Sequence, residues 1–150
     1  MILPVVTGAK TPILRTKATT VTSFDKNLKK TIKDMIDTMH AQKGIGIAAP
    51  QIDISQQIFI GIMGLNSENE RITVFINPKI IAYSDTTDIK EEGCLSLPGK
   101  YANVKRSTKI TIEFQTITGS KQTLNLSGMD ARIAQHEYDH LQGILFIDRL

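Results

Sequence analysis

A single cysteine stands among the 150 residues, so Cys94 has no partner for an intramolecular disulfide. A lone thiol of this kind suits a reducing compartment, the cytoplasm or its equivalent, where it serves as a metal ligand or a nucleophile. Long apolar runs are also missing: nothing is of bilayer-crossing length, and the opening MILPVVTGAKTPILRTK holds no signal-peptide core. The chain therefore reads as soluble and unexported, without a membrane partner. Charge of one sign is scarce too. Eighteen basic against fifteen acidic residues leave +3, and the one lysine cluster, Lys29, Lys30 and Lys33, has the spacing of a solvated helix face and not of a nucleic-acid patch. Repeats and linkers are absent, and 41% hydrophobic content lets one domain over residues 1–150 bury its own core.

What is present divides into two helical and several extended segments. From Phe24 to Lys43, the apolar positions Leu28, Ile32, Met35, Ile36 and Met39 recur with a helical period. Ser23 or Asp25 is placed to cap this helix and Gly44 to end it. QIFIGIM (57–63) and ITVFINP (72–78) have strand composition, the second closed by Pro78. TKITIEFQTIT (108–118) alternates strictly, and Gly119 with Ser120 turns it into KQTLNLS. A last helix runs from Ser127 or Asp130 to Gln142, stopped by Gly143. This order predicts an α+β fold with an antiparallel or mixed sheet.

The chemistry concentrates in QHEYDH, Gln135 to His140. Residues four apart share a helix face, so His136 and His140 can hold one ion with Glu137 beside it. A catalytic tetrahedral site needs a third protein ligand and one open position. Too little chain follows to supply it, so it must lie upstream. The remaining histidine, His40, could in principle be a fourth ligand and close the site into a structural one, but it has a simpler role at a helix C-terminus, where a cation is favoured. Cys94 sits in EEGCLSLPG, where Gly93 and Pro98 shape a rigid bend that can present the thiol. A cysteine with two histidines suits zinc, iron or cobalt and leaves a position free.

Three stretches, GIGIAAPQ (44–51), EGCLSLPG (92–99) and QHEYDHLQG (135–143), resemble in order and spacing the three signature motifs of the peptide deformylases. The likeness extends from about Thr7 to Arg149. It implies strands packed around a central C-terminal helix that carries the histidine motif, preceded by an N-terminal helix. It also implies removal of the formyl group from N-formyl-methionyl peptides and nascent chains, with release of formate.

Carried over by position, the resemblance makes Cys94, His136 and His140 the ligands of one divalent ion. Ferrous iron is implied in the cell, with zinc, nickel or cobalt as replacements. Glu137 becomes the proton carrier, and Gln51 with the Leu95 backbone N–H becomes the oxyanion holder. The substrate lies as an added strand between the segment containing Ile45 and Gly46 and the Leu97-Pro98-Gly99 region. Ile45, Ile133 and Met129 wall a methionine pocket, although Met129 equally suits plain core packing. Glu92 and Arg106 are placed to brace the ligand loop by a charge-assisted bond. The part played by Asp139 is left open by the sequence.

Two departures from the family pattern stand out. Where many members continue into a long C-terminal helix, this sequence stops at GILFIDRL, either as a natural short form or because a tail was removed, and weak ribosome contact is expected of it. Tyr101 stands where some bacterial members carry arginine near the substrate backbone. Three other classes compete. A metalloprotease needs a third ligand well downstream, a cysteine hydrolase would work through Cys94 with a histidine, and a catalytically weak metal-binding relative would keep the site without turnover.

Overall fold

The computed structural model describes residues 1–150. Helix α1 spans Lys26–Ala41 and α2 spans Gly128–Leu141. The strands are β1 (Gly46–Ala48), β2 (Ile58–Met63), β3 (Arg71–Tyr83), β4 (Thr87–Cys94), β5 (Leu97–Ser107), β6 (Lys109–Gln115) and β7 (Lys121–Ser127). They form a five-stranded antiparallel sheet in the order β1-β2-β3-β6-β7 and a separate antiparallel pair, β4-β5. No helix is long and apolar enough to cross a membrane.

Both faces are buried at β1, β2 and the middle of β3, where apolar residues run on without alternation, while β6 alternates buried with exposed or half-buried positions and β7 is mostly exposed. On one face, Phe59, Phe75 and Phe114 pack against Ala131, Ile133, Ala134 and Leu141 of α2. Phe59 and Phe75 stack with ring centroids 4.5 Å apart, and Phe114 lies tilted 4.6 Å from Phe75. On the other face, Ile47, Ile58, Ile60 and Ile76 meet Leu28, Ile32, Met35 and Met39 of α1. Thus the period of two in the strands and the period near 3.6 in the helices select the same interfaces.

Local signals mostly act as their chemistry requires. Asp25 caps α1, its carboxylate accepting the Leu28 N–H at 3.1 Å. Ser127 precedes α2, and Gly143, at φ 76°, ends its last turn. Two boundaries differ from expectation. The left-handed residue after α1 is Lys43, at φ 56°, and not Gly44. Gly44 instead leaves room for Leu95, whose Cδ1 would lie 3.1 Å from an added Cβ. Pro78 does not end β3, which runs on to Tyr83. The register shifts between Ile76 and Lys79, where Asn77 takes φ 50° and bonds both the N–H and the carbonyl of Val21. The β4–β5 pair was not foreseen at all, since its residues are mostly polar or charged.

Phe75 is fully buried at the centre of the aromatic stack. Phe75→Ala should therefore lower unfolding free energy by ~3–5 kcal/mol, as measured by urea denaturation. A loss below ~1 kcal/mol would mean that the stack is not the sheet's anchor.

Candidate active site

Three elements converge beside the helical face of the sheet. Helix α2 carries His136, Glu137 and His140; β4 ends on Cys94; and the 3-10 turn Ala49–Ile52 presents Gln51. Ligand-competent atoms of Cys94, His136 and His140 all lie within 4.8 Å of one another. The Cys94 Sγ is 3.3 Å from His140 Nε2. Exposed at the end of α1, His40 takes no part in this cluster.

The site is braced from behind by Glu92. Its carboxylate accepts Arg106 Nε and Nη2, each at 2.9 Å, and Arg132 Nη1 at 2.6 Å. The same group lies 2.8 Å from His136 Nδ1. With a cation at the site, a carboxylate at Nδ1 would keep the proton there and leave the Nε2 lone pair for the ion. Burial alone would raise the pKa of Glu92, but bonds from His136 and Arg106 outweigh it and hold the group down at about 2. The Glu92–Arg106 bond is accompanied by contacts from Arg132 and His136 that the sequence did not suggest. Asp139 joins it, accepting Arg106 Nη1 at 2.7 Å and Arg149 Nη2 at 2.8 Å. Phe146 adds a parallel ring over His136, with centroids 6.1 Å apart.

Gln51 is fixed at both ends of its amide. Its Oε1 accepts the Ala48 N–H at 2.9 Å, while Nε2 donates to Ser96 Oγ at 3.1 Å and lies 3.6 Å from Cys94 Sγ. Glu137 is nearly as buried but freer, because its Oε1 has no hydrogen-bond partner. Burial lifts its pKa to about 7, against the opposing pull of His136. In the metal-free protein, burial works to lower the pKa of His136, yet Cys94, Glu137 and Glu92 together raise it to about 10. Negative groups converging on one imidazole make a place for a cation. Burial keeps His140 neutral, as a ligand must be.

A cleft of about 720 Å³ opens onto these groups. Ile45, Gly46, Gln51, Cys94, Leu95, Gly99, Met129, Ile133 and Glu137 all line it. Leu97 does not. Its side chain is 3% exposed and packs with Leu14, Val104, Leu145 and Phe146, so only its backbone is available to a bound strand. Plain core packing is ruled out for Met129, which is 39% exposed at the cleft mouth, while Ile133 serves core and cleft together. Sequence reading missed Arg132, one turn before His136; an arginine in a polar helix segment carries no sign that it faces inward.

The polypeptide deformylase family model matches residues 2–150. The chain is 45% identical over 139 residues to the peptide deformylase of Thermotoga maritima, covering 93% of this chain and 82% of that protein. It is 44% identical over 140 residues to the chloroplastic peptide deformylase 1B of Oryza sativa subsp. japonica, covering 93% and 52%. Among solved structures, the Thermotoga maritima peptide deformylase superposes with a TM-score of 0.93 at 41% identity, covering 100% of this chain and 98% of that one. A class I type b peptide deformylase from Acinetobacter baumannii with Met-Ala-Ser bound gives 0.92 at 33%, covering 100% and 99%. This chain belongs to the peptide deformylase family.

Two outcomes follow from the brace. Arg106→Ala should weaken metal retention by ~10–100-fold in a chelator competition; unchanged retention would remove Arg106 from the brace. Glu92 is ionised in the fold down to a lower pH than its ordinary 4.5. Its contribution to stability is therefore present above pH 4.5 and lost as pH falls toward about 2. The stability gap between wild type and Glu92→Gln, read by urea unfolding of the metal-free proteins, should close across that window. A constant gap would contradict the assignment.

Proposed function

We propose that residues 1–150 form one catalytic unit that hydrolyses the formyl group from N-formyl-methionyl peptides and nascent chains, releasing formate. The observation that carries this reading is a Cys94–His136–His140 set, with His140 buried and the other two half-buried, beside a carboxylate oxygen of Glu137 that has no partner. One thiolate and two imidazoles fit a single first-row divalent ion with a position left open. Ferrous iron is the ion we assign in the cell, replaceable by zinc, nickel or cobalt, and a reducing compartment suits both it and the thiol. When bound, the ion would lower the pKa of a water and draw charge from the substrate carbonyl.

The remaining steps belong to the chain. Glu137, with its pKa near neutrality and its Oε2 4.0 Å from His136 Nε2, takes a proton from the attacking water at Oε2 and passes it to the leaving amine. The Gln51 amide Nε2, already aimed at the Cys94 corner, donates to the oxyanion that develops on the formyl oxygen, together with the Leu95 backbone N–H. A peptide lying in the cleft pairs its backbone with Ile45 and Gly46 on one side and residues 97–99 on the other. Ile45, Ile133 and Met129 enclose the methionine side chain, a flexible thioether that needs an apolar wall.

A thiol hydrolase is the competing reading, because Cys94 Sγ sits 3.3 Å from His140 Nε2. Such a pair needs a third group to orient the base, and His140 Nδ1 has no partner. Formate release from an N-formyl-methionyl tripeptide separates the two. Protein purified without oxygen and loaded with ferrous iron should turn over, and Glu137→Gln should lose ~100–10,000-fold. Activity that persists in chelator, or in Glu137→Gln, would overturn the metal-hydrolase reading.

A further inference from the structure

Gly46 in β1 and Gly61 in β2 are directly opposite each other across the sheet, and both face α2. Neither takes a positive φ, so backbone freedom is not what calls for glycine. Space is. A Cβ on Gly46 would lie 2.7 Å from Glu137 Oε2 and 3.1 Å from its Cδ and Cγ. A Cβ on Gly61 would lie 3.0 Å from Ile133 Cγ2 and 2.6 Å from Met63 Cε. Ile133 and Glu137 are one turn apart on α2, so the glycine pair is a flat floor under one stripe of that helix.

We infer that this pair sets how deep the catalytic turn of α2 rests, with Gly46 the positioning residue for the Glu137 carboxylate and Gly61 for the Ile133 wall. Glycine inside a strand weakens it and marks a close approach, so two facing each other need a compensating reason. The reason is a buried carboxylate with one oxygen pressed on Gly46 and the other without a partner. Any Cβ at 46 must push that group, because the buried surroundings leave it little room to retreat. At 61 the Met63 methyl is the end of a flexible chain and swings aside, whereas Ile133 is branched and held in the helix. The two positions therefore govern different quantities: Gly46 the rate of the proton-transfer step, Gly61 the shape of the side-chain pocket.

This inference rests on Glu137 acting as the proton carrier. Its test is Gly46→Ala and Gly61→Ala, with Gly46→Ala repeated in a Glu137→Asp background, where the carboxylate is one methylene shorter. Gly46→Ala should lower kcat by ~10-fold or more with KM within ~2-fold. Gly61→Ala should instead raise KM several-fold for formyl-methionyl peptides and improve discrimination toward formyl-alanyl ones. The cycle is read in kcat and in melting temperature. In both, the penalty of Gly46→Ala should largely vanish when it is introduced into the Glu137→Asp protein.

Equal penalties in both backgrounds, or a Gly46→Ala enzyme with unchanged kcat, would overturn the inference. If Gly46→Ala folds only together with Glu137→Asp, crowding of the carboxylate is supported; if neither folds, Gly46 is needed for general packing and the positioning role fails. An active Glu137→Gln would instead defeat the functional reading, so the two failures are distinguishable.

Discussion

The carboxylate of Glu92 holds the rest of the site in place. It is buried, and it is stabilised there by two arginines and one histidine. A buried charge with good geometry and every lone pair engaged is tolerable, while one left half-paired costs several kcal/mol, so such networks form as a whole or not at all. Glu92 lies two residues before Cys94 on β4 and touches His136 on α2. One group therefore fixes the hairpin and the helix relative to each other, and with them the distance between the Cys94 sulfur and the imidazoles. The network continues through Arg106 to Asp139 and on to Arg149, so the last turn of the chain is tied to the same centre.

Two carboxylates a short distance apart along this framework are pushed in opposite directions. Glu92, surrounded by donors, stays charged far below neutrality, whereas Glu137, buried with an oxygen unpartnered, is lifted to about 7. The same side-chain chemistry thus yields a permanent anion that orients His136 and a group able to take up and release a proton near neutral pH. The difference comes from who faces each carboxylate. Arginines surround one, and a glycine surface with a cleft faces the other.

The α+β architecture, both helices and the histidine motif were legible because each rests on local spacing. Leu28, Ile32, Met35 and Met39 define one face of α1 wherever the helix is placed, and His136 with His140 must share a face of α2. Cys94 was proposed as a ligand by counting and by resemblance to the deformylase motifs, and its sulfur lies in one cluster with the two imidazoles. What escaped notice depends on contacts between distant segments. Arg132 looks like a surface residue until Glu92 is brought beside it from 40 positions away. The β4–β5 pair has too few apolar residues to show alternation, since one of its faces meets α2 through charged groups. Leu97 belongs to the right motif, yet its side chain turns into the core formed with Phe146. Gly61 sits in a strand that reads well without it, and its meaning appears only when α2 is laid across.

The central claim is that one cation is held by Cys94, His136 and His140 with a position left for water and substrate. X-ray absorption spectroscopy of protein isolated without oxygen, compared with Cys94→Ser, tests it directly. The account predicts one sulfur and two imidazole nitrogens around the ion, completed by light-atom solvent ligands, with the sulfur signal gone in the variant. A shell without sulfur, or one closed by four protein ligands, would contradict it.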